Sequence, residues 1–357
     1  MTLPSAEWQI EFLKYIQNIL QAGSFTSTYK CALLIALSNV AIEKGSDTDA
    51  PLTIHYRDLA EQFIQLYWHQ ARPYKIVDQT EIILAQNTGN TIAIMQRIDE
   101  LQARYTTLAN ARRQSDWNST ITSVAQTVKK MPAQYLQNIG GQTYPFLYEW
   151  SSKGMEITLK RGVMYGFRQF NGIITQLAEH KWLQLIRQNS QNAELFQDDH
   201  DLYTFLFETS RQALGKVKDQ LIPLQNNCCF YCGKPIKEND HHVDHFIPWS
   251  LYSSDTGHNF VLSDSRCNLQ KSDALASLPV LERWLERNEL RNHEIIEAIT
   301  PIGFICDKER SHNVAKWAYS KLFKADSFFW VPPKTLTRIV ENPDLTFDAH
   351  NAKYPAP

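Results

Sequence analysis

The segment Cys229–Asp273 constrains the fold more than any other part of the sequence, because it concentrates metal-binding side chains in a short stretch. These side chains are, in order, Cys229, Cys232, Asp244, His245, Asn259, Cys267 and Asn268. So short a segment can bury little apolar surface of its own, and small modules of this kind are commonly stabilised by a metal. We therefore expect a small metal-binding module here, with Phe230, Tyr231 and Trp249 packing its interior.

The pair Asp244-His245 predicts hydrolytic chemistry on a phosphodiester. Such a reaction needs a base that activates water, and histidine suits this role near neutral pH. It also needs a hard divalent cation, which prefers oxygen ligands such as the carboxylate of Asp244 and the amide oxygen of Asn268. Neighbouring side chains on a strand point to opposite faces, so the chain has to bend here, and Pro248 is consistent with a strand that ends nearby. Asn259 is expected to hold the loop around the histidine.

The order and spacing of these motifs resemble the HNH nuclease family, including the HNH domain of CRISPR effector nucleases. The motifs are Asp-His-x-x-Pro-x-Ser from Asp244, Asn-x-Val-Leu from Asn259 and Asn-x-x-Lys-x-Asp from Asn268. The resemblance implies a β-hairpin followed by a helix around one Mg²⁺ or Mn²⁺ ion. It implies that Asp244 and Asn268 bind this metal, that His245 is the general base, and that Asn259 supports the loop.

Many HNH proteins also carry a structural zinc ion held by two Cys-x-x-Cys pairs. Cys229 and Cys232 match the first pair and Cys267 matches the last cysteine, but Asp264 occupies the remaining position. Zinc accepts a carboxylate ligand, so a site of three cysteines and Asp264 is one interpretation. Cys228 or a nearby histidine could supply the fourth ligand instead, or the cysteines could pack without metal.

Apolar periodicity predicts an α+β protein that is mostly helical outside this module. The domains expected are a helical substrate-binding or regulatory domain over 1–215, the HNH domain over 216–285, and a helical extension with an irregular tail over 286–357. Helices are predicted around 8–20, 29–42, 59–67, 92–101, 170–186, 278–290 and 313–322. Met155–Phe170 alternates and contains two glycines, which favours a hairpin.

Charge gives a second clue to substrate binding. The net charge of the chain is −2, and residues 216–285 hold seven Lys and Arg against eight acids. Residues 101–190 hold eleven Lys and Arg against four acids, a balance of +7. This excess indicates either a solvated helical face or a phosphate-binding surface. The residues predicted to contact nucleic acid are Arg112, Arg113, Lys129 and Lys130 in this region, and Arg266 and Lys271 in the motif.

Together these patterns predict a metal-dependent endonuclease that favours DNA, with RNA as the alternative substrate. A restriction or phage-defence role, and a homodimer or an activating protein partner, fit this build by resemblance. The rival interpretation is a zinc-stabilised binding module without catalysis. The first residues do not form a secretory signal, no stretch is apolar enough to span a membrane, and a Cys-x-x-Cys pair is typical of cytosolic metal sites. A cytoplasmic location and no membrane partner are therefore expected.

Overall fold

The computed structural model describes residues 3–77, 80–89, 93–195, 202–207, 211–322, 328–332 and 335–338. The chain divides into two compact units, Met1–Thr209 and Ser210–Pro357. The boundary that the sequence suggested at 215/216 falls inside a helix of the second unit. Among the helices of the described ranges, none combines the length and the apolar character that a membrane span requires.

The first unit is mostly helical, as predicted. Its α-helices are α1 (Ala6–Ala22), α2 (Tyr29–Lys44), α3 (Tyr56–Trp68), α4 (Ala93–Gln102), α5 (Leu108–Arg112), α6 (Asp116–Val128), α7 (Val163–Gln169), α8 (Asn171–Gln188) and α9 (Leu202–Phe207). A π-helical turn spans Lys129–Ala133, and a 3-10 helix spans Ser190–Leu195. Six short strands form three antiparallel pairs: β1 (Leu52–His55) with β6 (Glu156–Leu159), β2 (Lys75–Val77) with β3 (Thr80–Ile82), and β4 (Asn138–Ile139) with β5 (Gln142–Thr143).

Helix α2 is the centre of this unit. Nearly all of its side chains are buried, and it packs against α3, α7 and α8. A helix that is apolar on all sides has to be enclosed by other elements. The prediction of a buried helix from Tyr29 is therefore confirmed, and so is the helix that begins near Ile92, although Ile92 itself lies outside the described residues.

The predicted hairpin over Met155–Phe170 is wrong. Only β6 is a strand, and it pairs with the distant β1, with Ile54 opposite Ile157. The two glycines serve a helix instead of a turn between strands. Gly162 precedes α7 with a φ of 81°, a backbone conformation that favours glycine. At Gly166, an added Cβ atom would lie 2.9 Å from the Phe12 ring.

The second unit contains the small hairpin-and-helix module and a helical part. Strand β7 (His241–His245) pairs antiparallel with β8 (Phe260–Asp264), and helix α11 (Ser265–Lys271) follows directly. A 3-10 turn, Gly257–Asn259, leads into β8. The other elements are α10 (Arg211–Leu224), α12 (Leu278–Leu290), α13 (Asn292–Ile299), α14 (Lys308–Leu322), β9 (Phe328–Val331) and β10 (Thr335–Arg338). The tail predicted to be irregular from Pro332 thus includes β10, and residues 339–357 lie outside the described residues.

Helix α12 supplies the core that the hairpin lacks. The Trp284 ring stacks on the Phe246 ring with centroids 4.7 Å apart, and both side chains are fully buried. The Arg287 guanidinium donates to the backbone oxygen of Phe260 at 2.8 Å. The hairpin is therefore fixed to a helix that ends at Leu290, beyond the 285 limit suggested by the sequence.

Candidate active site and candidate metal centre

Asp244 and His245 occupy the last two positions of β7. In the hairpin register Asp244 lies opposite Val261 and His245 lies opposite Phe260. The ladder continues for one more bond, from Phe246 N to the backbone oxygen of Asn259, before the chain turns away toward Pro248. The bend that the sequence required thus comes directly after the pair.

The His245 ring is held by a carboxylate on one nitrogen. Its Nε2 lies 2.6 Å from Oδ1 of Asp255, and the two side chains are only 17% and 10% exposed. The ring also packs near Phe260 and Trp249, at centroid distances of 5.1 and 5.4 Å. A carboxylate accepts hydrogen bonds, so Nε2 carries the proton and Nδ1 keeps the lone pair that a base needs. Asp255 was not identified from the sequence, where it is one of several acids in the motif region.

Asp244 is held through one of its two oxygens. Its Oδ2 accepts a hydrogen bond from the Tyr231 hydroxyl and lies 3.0 Å from Nζ of Lys271. Burial raises the pKa of the Tyr231 hydroxyl well above its usual value, so this group remains a donor. Oδ1 has no hydrogen bond within the described part of the chain, which leaves it available as a metal ligand.

Lys271 corrects one prediction. Its side chain has no exposed surface, and Nζ also donates to the backbone oxygen of His245 at 2.9 Å. A buried ammonium needs a compensating charge, and Asp244 supplies it. Lys271 therefore ties the carboxylate to the backbone of the neighbouring histidine and is not available on the surface for a phosphate.

Asn259 clamps the loop that follows β7. Its Oδ1 accepts a hydrogen bond from Ile247 N at 2.7 Å, and its Nδ2 donates to Ile247 O at 3.0 Å. Both ends of the amide are thus engaged with one backbone residue, which supports the loop-holding role that the resemblance implied.

Asn268 and Arg266 lie on α11, which begins directly after β8. Asp264 is the N-cap residue of α11, and Asn268 lies within the helix. The Asn268 side chain is half-buried and makes no hydrogen bond to any residue that the structure describes, so its amide oxygen is free to bind a metal. Arg266 is exposed and is available for a phosphate.

Four side chains form a second candidate metal centre. The ligand atoms of Cys229, Cys232, Asp264 and Cys267 all lie within 4.8 Å of one another. This spacing suits the tetrahedral sulfur and oxygen shell of zinc. Cys228, the alternative fourth ligand, instead directs its thiol to the backbone oxygen of Asn226.

Asp264 has two roles in this cluster. Its Oδ1 accepts the hydrogen bond from Cys267 N at 2.8 Å that caps α11, and its Oδ2 lies 3.3 Å from Cys232 Sγ. Partial burial raises the pKa of this carboxyl, but hydrogen bonds from Cys267 N and the neighbouring thiols outweigh burial and lower the pKa to about 2. Burial raises the pKa of the Cys229 thiol to about 11, so a zinc ion would have to displace protons from the cysteines as it binds.

In the first unit, the predicted phosphate-binding residues separate into two groups. Lys129 is buried, and its Nζ donates to the backbone oxygens of Ser152 and Gly154, both at 2.6 Å, so it is removed from the predicted surface. Arg112 forms an ion pair with Glu61 at 2.7 Å. Arg113 and Lys130 are exposed and stay candidates for contact with nucleic acid.

Comparison with known proteins identifies the class of this site. A family model described as HNH endonuclease matches residues 229–274, which contain the hairpin, α11 and the cysteine cluster. The chain thus carries an HNH endonuclease domain at these residues. A second model, "Domain of unknown function (DUF8808)", matches residues 9–206, more than half of the chain, and the chain belongs to that family.

One curated relative shares part of the chain. It is "CRISPR-associated endonuclease Cas9" of Corynebacterium diphtheriae, with 28% identity over 114 residues. The shared stretch covers 32% of this chain but 10% of the relative. The chain therefore corresponds to about a tenth of that protein's length.

Proposed function

We propose that this protein is a divalent-metal-dependent endonuclease that cuts DNA in preference to RNA, with its catalytic residues at the end of β7. The observation that supports this most directly is the pairing of His245 with Asp255 beside a carboxylate, Asp244, that keeps one oxygen free. A base and a metal ligand in adjacent positions are the two groups that phosphodiester hydrolysis requires.

Each residue has a role in this proposal. Asp244 and Asn268 would hold Mg²⁺ or Mn²⁺, which when bound neutralises charge on the scissile phosphate and the leaving oxygen. His245 accepts the proton of the attacking water at Nδ1, while Asp255 holds Nε2. Lys271 fixes Asp244, and Asn259 fixes the loop after His245.

A structural zinc ion on Cys229, Cys232, Asp264 and Cys267 would join the segment before β7 to the start of α11. These are the two ends of the small module, and its own apolar core is limited. Zinc would thus hold α11, and with it Asn268, in place against the hairpin.

Substrate affinity needs positive charge that the HNH segment lacks, since its acids outnumber its Lys and Arg. Arg266 is the exposed cation on α11, and Arg113 and Lys130 are exposed in the DUF8808 region. Reversing the charge of Arg113 and Lys130 should weaken DNA binding and reduce its salt dependence, because fewer counterions are released. An unchanged affinity and salt slope would remove both residues from the interface.

We propose a role in restriction or phage defence, with an activating partner or a homodimer, on the resemblance of this build to HNH effectors. A single HNH site cuts one strand at each encounter, so cleavage of both strands would call for two copies or two encounters.

The experiment is cleavage of supercoiled plasmid, single-stranded DNA and RNA in Mg²⁺, Mn²⁺ or EDTA, comparing wild type with His245→Ala. His242→Ala is the matched control, because His242 is an exposed histidine on the same strand. Metal-dependent cleavage that His245→Ala abolishes and His242→Ala retains supports the proposal, and the preferred substrate tests the preference for DNA. Zinc binding without cleavage of any substrate under any metal would favour the zinc-stabilised binding module instead.

A further inference from the structure

The segment that carries Asp255 has no regular secondary structure of its own. Residues 252–255 lie between β7 and β8 and belong to no helix or strand. The Asp255 side chain is nevertheless only 10% exposed, and its Oδ1 lies 2.6 Å from Nε2 of His245. A loop without a backbone ladder keeps a side chain in such a position through contacts with other elements. Those contacts therefore determine how well the proposed base is held.

The first turn of α14 holds one side of Asp255. Arg310 is 9% exposed, and its Nη2 donates to the Tyr252 hydroxyl at 3.0 Å and to Ser254 Oγ at 3.1 Å. Tyr252 and Ser254 are themselves buried, at 4% and 8% exposure. Ser254 directly precedes Asp255 in the sequence, so the guanidinium fixes the chain one residue before the aspartate.

The next residue of α14 holds the other side of Asp255. Ser311 is 3% exposed, and its hydroxyl forms a hydrogen bond with Thr256 Oγ1 at 3.0 Å. The backbone continues this attachment, because Gly257 N donates to Ile305 O at 2.8 Å. Thr256 directly follows Asp255, so the aspartate is flanked on both sides by residues that are bound to the segment 305–311.

The chemistry of Arg310 suits positioning better than packing. Burying a guanidinium costs solvation free energy, which well-oriented hydrogen bonds have to offset. Both of the bonds to the loop come from one nitrogen, whose two N–H groups diverge at a fixed angle. A charged donor that bridges two hydroxyl groups in this way fixes them relative to each other and to α14.

We propose that Arg310 and Ser311 are positioning residues for the nuclease reaction, because they hold the loop that places Asp255 against His245. The catalytic consequence of this inference rests on the proposed function. The HNH match ends at residue 274, so α14 lies outside it. The helical part after the HNH segment thus fixes the acid that orients the proposed base.

The His245 ring reports on these contacts without any cleavage. A ring proton held between Nε2 and a carboxylate exchanges slowly with water and gives a resolved downfield proton signal in the NMR spectrum. The full-length protein is measured in EDTA, and His245→Ala identifies the signal among those of the 11 histidines. We expect the signal in wild type and its loss in Arg310→Met, because the displaced loop no longer keeps Asp255 at Nε2.

Single-turnover cleavage tests the catalytic consequence. Arg310→Met should lower the maximal rate about tenfold, as the loss of a charged hydrogen bond predicts, and leave the substrate concentration for half-maximal rate unchanged. The double variant with Asp255→Asn should match Asp255→Asn alone, because Arg310 acts through that carboxylate. Ser311→Ala should give a smaller loss of the same kind. It leaves the buried guanidinium in place, so it tests the proposal even if Arg310→Met folds poorly.

Arg291→Met is the matched control, because Arg291 is an arginine of the same unit that binds Leu224 and Glu294. It should keep both the His245 signal and the cleavage rate. The proposal is overturned if wild type lacks the His245 signal, or if Arg310→Met and Ser311→Ala both keep the signal and the wild-type rate. A wild type that shows the signal but cuts no substrate contradicts the proposed function, and the spectra of the variants then decide the positioning by themselves.

Discussion

Asp255→Asn should reduce the cleavage rate without weakening substrate binding. Asp255 contacts the His245 ring at Nε2, on the side opposite to Nδ1, so its contribution to the reaction passes through the histidine. The variant keeps the size of the side chain and removes its charge. The amide can also donate to Nε2, which would move the ring proton to Nδ1 and remove the base.

The size of the effect follows from the lost interaction. A hydrogen bond to a charged group contributes about 1.5–3 kcal/mol. If the whole of this is lost in the transition state, kcat falls about 10- to 100-fold, at about 1.4 kcal/mol for each factor of ten. The loss cannot exceed that of His245→Ala, because Asp255 acts through that ring.

The assay is single-turnover cleavage of the substrate identified in the plasmid and oligonucleotide experiment, for wild type, Asp255→Asn, His245→Ala and the double variant. We expect KM to stay constant and the double variant to match His245→Ala alone, since residues that act as a unit are not additive. Asp219→Asn, an exposed acid on α10, is the matched control. A raised KM with unchanged kcat, or a double variant slower than His245→Ala, would refute the positioning role.

Three further predictions concern stability and metal content. Lys271→Met should lower the free energy of unfolding by about 3 kcal/mol, because it leaves the half-buried Asp244 carboxylate without its cation. Urea denaturation compared with Lys237→Met, which changes an exposed lysine, would measure this, and equal stabilities of the two variants would contradict it. Wild type should contain about one zinc ion per chain by elemental analysis, and Asp264→Ala should lose it and melt at a lower temperature, unless the cysteines pack without metal. Burial raises the pKa of Glu179 to about 7, so the native state binds the extra proton and stability should fall by about 3 kcal/mol as pH rises from about 4.5 to 7. Glu179→Gln should remove that slope in urea titrations at several pH values, and an unchanged slope would assign it to other groups.

Sequence patterns predicted the hairpin-and-helix module, because the spacing of its residues is determined by local structure. The interval from Asp244 to Asn259 spans the connection between β7 and β8, and Asn268 follows within α11, so the order of the motifs predicts one hairpin-and-helix module. The alternation of Met155–Phe170 was misleading because β6 pairs with β1, about a hundred residues earlier. Two glycines that resembled hairpin turns are instead required by the start of α7 and by close packing on Phe12.

Lys271 shows why side-chain environment is harder to predict than side-chain identity. Lys271 lies three residues after Asn268, the predicted metal ligand, and the sequence favoured a phosphate contact for it over a lysine that merely decorates the helix. Whether the Lys271 side chain points to solvent or to β7 depends on how α11 packs against the hairpin. The spacing of residues along the sequence does not determine this packing. In the structure Nζ of Lys271 lies 3.0 Å from Oδ2 of Asp244. This ion pair compensates the charge of the half-buried carboxylate.

Asp264 occupies a position where the family pattern has a cysteine, and the structure gives a physical reason for the carboxylate. A cysteine at this position could bind zinc, but its thiol is a weak acceptor for the first-turn amides of α11. The carboxylate accepts the Cys267 amide through one oxygen and faces Cys232 through the other. Asp264→Cys should therefore retain zinc while destabilising the start of α11, whereas Asp264→Asn should retain the cap and bind zinc more weakly. If both variants bind zinc and melt like wild type, then neither role of the carboxylate contributes to the stability of the module.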